Sequence, residues 1–137
     1  MNLDPTSALL AVSAFHAGFQ VVVSVVVYPA LADVPADRWA RAHDRHSRRI
    51  VTVVAVLYPV LVAVCVWALA DGPFDVPRGT AITANLVAVA VTAGVAAPLH
   101  GALGRERTDR AVRALLVTDR VRTVAALVAL AAAGYSA

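Results

Sequence analysis

Long apolar stretches recur four times along the chain, at about residues 7–31, 50–70, 81–99 and 115–135, with charge concentrated between them. Each holds roughly the 20 residues that carry a helix across a ~30 Å hydrocarbon core. None shows the period-two alternation over about ten residues that a membrane β-barrel strand requires. Val and Ala dominate the stretches. Val is a mediocre helix former in water, but in lipid a helix satisfies every backbone N–H and C=O internally. The pattern predicts four transmembrane helices in a single domain over residues 1–137.

Helix breakers fall where that reading needs them. Pro29 and Pro35 flank the end of the first stretch, and Asp71-Gly72-Pro73 with Pro77 separates the second from the third. Gly101 and Gly104 are expected to end the third. Pro59 and Pro98 lie inside stretches, where a proline frees a carbonyl and kinks the helix, first of all a packing feature.

Composition strengthens the membrane assignment. Apolar residues make up 60% of the chain and charged ones 15%, against about 45–50% and 25% in soluble domains. Hydrophobicity of this order excludes disorder, and a single cysteine, Cys65, excludes a disulfide framework or paired-thiol chemistry. All twelve basic residues are Arg, and the formal charge is +3. Eleven of them fall in the first and third connections and their flanks, from Arg38 to Arg49 and from Arg105 to Arg122. Only Arg78 lies in the second connection, beside Asp71 and Asp75.

The positive-inside rule puts the Arg-rich side in the cytoplasm and both termini outside. The charge pattern thus reads as membrane topology, and nucleic acid is not the expected partner. The fold class is an all-α, up-down-up-down four-helix bundle in the plasma (inner) membrane. Residues 36–49 read as a cytoplasmic amphipathic extension of the second helix, with Pro35 and Asp37 as start residues and Trp39 at the interface. The first stretch lacks a basic leader and exceeds a signal-peptide core in length.

Polar residues inside apolar helices are costly and turn toward the bundle interior or a water-filled cavity. In the first helix His16, Gln20, Ser24 and Tyr28 recur every four residues, joined by Ser13. At ~1.5 Å per residue, His16, Gln20, Tyr58, Thr92, Arg122 and Thr123 fall near one level, with Asp119 a turn away. Asp119 and Arg122, three residues apart, can pair and enter the membrane together. Such a site has His16, Gln20, Tyr58, Asp119 and Arg122 as catalytic candidates and Thr92, Thr123 and Tyr28 as substrate contacts. His16 can accept a proton, Arg122 can stabilise a developing phenolate or enolate, and Tyr58 can bond a substrate oxygen.

A second constellation lies at the cytoplasmic edge. His43 and His46 share a helix face and His100 ends the third helix at a similar level, a set with donors for copper, iron or zinc. Small residues at Ala125, Ala129 and Ala133, and at Gly94, Pro98 and Ala102, allow close helix approach within the chain or in a homo-oligomer.

Several ordered motifs accompany these features. The first helix ends Val-Val-Val-Tyr28-Pro29-Ala-Leu, and Pro35 and Arg38-Trp39 lead into the second. The third carries Thr92 and Ala97-Pro98-Leu99-His100-Gly-Ala-Leu103, and the fourth opens Leu115-Leu116-Val-Thr-Asp119-Arg120-Val-Arg122-Thr123. The set resembles the small four-helix membrane family that includes anthrone oxygenases. The resemblance implies oxygen-dependent oxidation of a flat, lipid-soluble aromatic, with Pro29, Thr92, Pro98 and Arg122 as family-like positions. His100 and the histidine-rich segment depart from the family's pattern.

The resemblance thus implies a membrane oxidoreductase acting on an aromatic or quinone-like molecule, with no cofactor or with copper, iron or haem. Its alternative is a non-enzymatic protein, either a metal or haem carrier or an accessory subunit. A transporter ranks last, since Pro59 and Pro98 do not occupy matching positions in the two halves. An absorption spectrum and elemental analysis of purified protein beside His16→Ala separate these readings. A stoichiometric haem or metal signal lost in the variant makes His16 a ligand, whereas a colourless, metal-free protein removes the haem and copper readings.

Overall fold

The computed structural model describes residues 4–71 and 75–137. Gly72 and Pro73 of the expected break lie outside them. Four helices account for nearly all of the described chain: α1 (Pro5–Ala32), α2 (Ala36–Ala70), α3 (Val76–Arg105) and α4 (Asp109–Ser136). α1 and α3 each lie against both α2 and α4, which closes the helices into a ring in the order α1, α4, α3, α2.

Three helices, α1, α2 and α3, are long and apolar enough to cross a membrane. The fourth expected span is the exception, because Asp119, Arg120 and Arg122 interrupt the apolar part of α4. α2 has 35 residues, about 50 Å of helix, so only part of it fits a ~30 Å core. Its Arg-rich first third continues the same helix.

Local chemistry fixes the starts. Asp4 caps α1 by accepting from the Thr6 and Ser7 amides and the Ser7 hydroxyl. The hydrogen bonds from Ser7 hold its pKa below the ordinary aspartate value. Asp75 and Thr108 cap α3 and α4 in the same way. Gly101 and Gly104 do not end the third helix, which continues to Arg105. A helical glycine costs about 1 kcal/mol relative to Ala, less than the packing that holds this turn against α2 and α4.

Pro29 and Pro98 lie inside continuous helices, each just after a five-residue π-helical segment, Val23–Val27 in α1 and Thr92–Ala96 in α3. A proline offers no N–H and its ring clashes with the carbonyl four residues back. Here the Tyr28 amide reaches the Val23 carbonyl and the Ala97 amide reaches Thr92, bonds five residues long that open the turn before each ring. The device occupies matching positions of the two halves. The matching prolines are Pro29 and Pro98, not Pro59 and Pro98, so the mismatch that ranked a transporter last does not hold.

The π segments also set the polar face. In a pure α-helix, Tyr28 would sit about 80° around the axis from Gln20. The wider turn takes up that excess, and both side chains are buried. On α4 the buried line runs Leu115, Thr118, Asp119, Arg122, Ala126, Ala129, Ala133. Ala125 of the expected small-residue seam is only half-buried, with Ala126 taking the inner place. Gly94 and Pro98 face outward, so that seam does not join helices within the chain.

Ala126 is fully buried where α4 meets its neighbours. Ala126→Leu should therefore cost about 1–3 kcal/mol through overpacking. Val124→Leu, on the exposed side of α4, should stay within about 0.5 kcal/mol. Reversible unfolding in detergent micelles measures both.

Candidate functional site

Arg122 projects from α4 into the ring with 5% of its surface exposed. A guanidinium has only donors, so each arm must find an acceptor. Nη2 donates to Asp119 Oδ1 at 2.8 Å and to Tyr28 Oη at 3.2 Å, and Nη1 donates to Thr92 Oγ1 at 3.3 Å. Its charge also lies 5.9 Å from the Tyr28 ring centre, a cation–π contact. The expected Asp119–Arg122 pair forms, and both side chains are buried. Residues of α1, α3 and α4 thus meet on one cation.

The network continues away from the Arg-rich end. Thr92 donates to its own Ala88 carbonyl, so its oxygen accepts from both Arg122 and Tyr58, the latter at 3.0 Å. Tyr58 in turn accepts from Gln20 Nε2 at 3.4 Å. His16 stands edge-on to the Tyr58 ring, centroids 5.7 Å apart, with Nδ1 2.9 Å from Asn85 Oδ1. An amide oxygen only accepts, so His16 carries a hydrogen on Nδ1, and in the neutral ring Nε2 is then bare. Nε2 and Gln20 Oε1 are buried acceptors without a protein partner.

Asn85 is fully buried and donates to Ser13, so Ser13, Asn85 and His16 form a second hydrogen-bonded group that meets the network at the Tyr58 ring. Sequence reasoning passed over Asn85, although an amide amid Val and Ala obeys the rule that singled out His16. Of the remaining expected residues, Thr123 turns away, its hydroxyl bonded to the Asp119 carbonyl one turn back. Arg78, placed in an outer loop by its position, is buried in the first turn of α3 and donates to Thr6.

The two constellations meet at Tyr28. Its hydroxyl lies 3.0 Å from His100 Nε2, and His100 Nδ1 lies 3.2 Å from His43 Nε2. His46 stacks on His100 at 5.6 Å, and Trp39 stacks on His43 at 5.3 Å while donating to the Leu103 carbonyl. The three histidines come together as expected, but as hydrogen-bonded and stacked rings. Among the described residues, no group of three His, Cys, Asp or Glu is disposed to hold a metal ion.

A cavity of about 200 Å³ lies beside this junction. Its wall is mainly apolar, including Phe19, Val23, Ile50 and Val54, and Tyr28, Thr92, His100 and Arg122 supply polar groups. Val23, Thr92 and Ala96 of its lining belong to the two π segments. His16, Gln20, Tyr58 and Asp119 do not line it and stand behind those polar groups. Compared with protein-family models, curated proteins and solved structures, the chain shows no match.

Removing one member of a buried pair strands the other, at a cost of about 3–5 kcal/mol. Asp119→Ala should therefore destabilise the protein by about that amount. Asp119→Ala combined with Arg122→Met should lose less than the two single losses added. Unfolding in micelles reads the cycle, and strict additivity would mean that the pair is not coupled.

Proposed function

We propose that this protein is an integral membrane oxidoreductase that oxidises a lipid-soluble aromatic or quinone-like molecule in the cavity beside Arg122. All four helices cross the plasma membrane up-down-up-down, with both termini outside and the Arg-rich connections in the cytoplasm. α4 carries its charges across because Asp119 and Arg122 neutralise each other and Arg120 lies on the exposed side, toward the cytoplasm.

The observation that carries the reading is the juxtaposition of a buried guanidinium with a mainly apolar cavity. An aromatic ring packs against the aliphatic wall, and its carbonyl or phenolic oxygen meets Arg122, Thr92 and Tyr28. Val51 on the rim is exposed on the outer face of the helices, which gives a ligand dissolved in lipid a lateral way in. The cavity is smaller than the ~300–1,000 Å³ of drug-sized sites, which favours a compact, flat molecule.

The reaction converts a methylene flanked by aryl rings, with one O₂, into a carbonyl and one water. Removing a methylene proton pushes charge onto the conjugated oxygen, where Arg122 is aimed, and the resulting anion is the electron donor to O₂. Charge stabilisation by a fixed donor in a dry site is the largest contribution a protein makes to such a step. The proton leaves through Tyr28 to His100 rather than to His16, because Tyr28 and His100 line the cavity and are bonded to each other, whereas His16 is turned to Asn85.

Protein reconstituted in lipid and supplied with a hydroxyanthrone should consume one O₂ per quinone formed. Arg122→Gln should lower the rate by about 10²–10³-fold, the usual loss of one such donor. No oxygen uptake above protein-free vesicles would leave a ligand-binding or structural role instead.

A further inference from the structure

His100 separates two hollows. It lines the inner cavity of about 200 Å³ and also a second, of about 300 Å³, at the Arg-rich end, lined by His43, Asp44, Ser47, Gly101 and Gly104 among others. Ser47 is the other residue common to both. Between the hollows runs the chain Arg122, Tyr28, His100, His43.

The hydrogens in that chain can be assigned from one end. Arg122 can only donate, so the Tyr28 oxygen accepts from it and its own hydrogen points to His100 Nε2. In a neutral ring, His100 then carries its hydrogen on Nδ1 and donates to His43 Nε2. By the same logic His43 holds its hydrogen on Nδ1. Every donor in the chain points the same way, from the cavity toward the Arg-rich end.

We propose that Tyr28, His100 and His43 form a proton wire, oriented at rest to drain the inner cavity into the outer hollow. This rests on the reading of the cavity as a site for a phenol or acidic aromatic. A proton leaving the ligand's O–H or C–H bonds to the Tyr28 oxygen as the Tyr28 proton passes to His100 Nε2. The His100 Nδ1 proton passes to His43 Nε2, and His43 releases its Nδ1 proton to water in the outer hollow. One proton enters and one leaves, and both histidines end with their hydrogen on Nε2, so their rings turn or tautomerise before the next proton passes. Trp39, stacked on His43 and tied to Leu103, is the positioning residue that keeps the last ring in line.

The test uses 2-naphthol, a compact two-ring phenol that becomes a strong acid when excited, bound to protein in lipid nanodiscs. Fluorescence anisotropy reads binding, and naphtholate emission reads proton departure. Wild-type protein should bind the probe and show naphtholate emission. His43→Gln should bind equally while that emission falls by about tenfold, the scale on which a positioned base acts. Bound probe with unchanged emission in His43→Gln overturns the wire and leaves the site standing. No binding to wild-type protein overturns both.

A second measurement needs no variant. In ¹⁵N-histidine-labelled wild-type protein, His100 and His43 should both be protonated on Nδ1 and bare on Nε2. A hydrogen on Nε2 of neutral His100 reverses the chain and overturns the proposal.

Discussion

A cation inside an apolar ring needs acceptors from more than one helix, and that demand organises this molecule. Arg122 cannot be satisfied by α4 alone, because Asp119 accepts a single bond, from Nη2. The second Nη2 bond brings Tyr28 of α1 and the Nη1 bond brings Thr92 of α3 to the same level, while Nε stays without a protein partner. In hydrocarbon, association gains little from burying apolar surface, since lipid tails are as apolar as leucine. Small residues and polar contacts must hold the helices together instead. The Ala126, Ala129 and Ala133 line supplies close approach on one part of α4, and Arg122 supplies the polar contacts on the next.

The same demand explains why two helices depart from α geometry beside the cavity. A proline needs a widened turn before it, and a widened turn shifts every later side chain around the axis. In α1 the shift returns Tyr28 to the face of Gln20, and in α3 the first residue of the widened turn is Thr92. Backbone strain avoided at Pro29 and Pro98 therefore becomes register at the site. The cavity sits where the two widened segments face α2, and their residues form part of its wall.

Much of this was legible in the residues. Hydropathy gave four helices, and the cost of burying polar groups picked out seven residues of one cluster: Gln20, Tyr58, Thr92, Asp119 and Arg122 join one hydrogen-bond network, His16 meets it at the Tyr58 ring, and Thr123 turns away. What stayed hidden depended on distances that periodicity does not encode. The four-residue repeat on α1 assumed an unbroken α-helix, so the role of the π segment could not be seen. Arg78 looked like a loop charge because sequence position says nothing of the Thr6 hydroxyl across from it. The link between the midplane and the histidines was invisible too, since Tyr28 and His100 are 72 positions apart and meet only once α1 and α3 are packed.

The two π segments carry one more consequence. Val23 and Thr92, Pro29 and Pro98, and the bonded pair His16 and Asn85 are all separated by the same 69 positions. α1 and α3 are helices of one design, and His16 touches its own counterpart. Yet Tyr28 answers to Ala97, Gln20 to Val89, and His100 to Leu31. The backbone device is kept in both halves, while the polar side chains around the cavity occur in only one of each pair. The scaffold is near-symmetric and the chemistry is not, so a ligand in the cavity meets a single orientation.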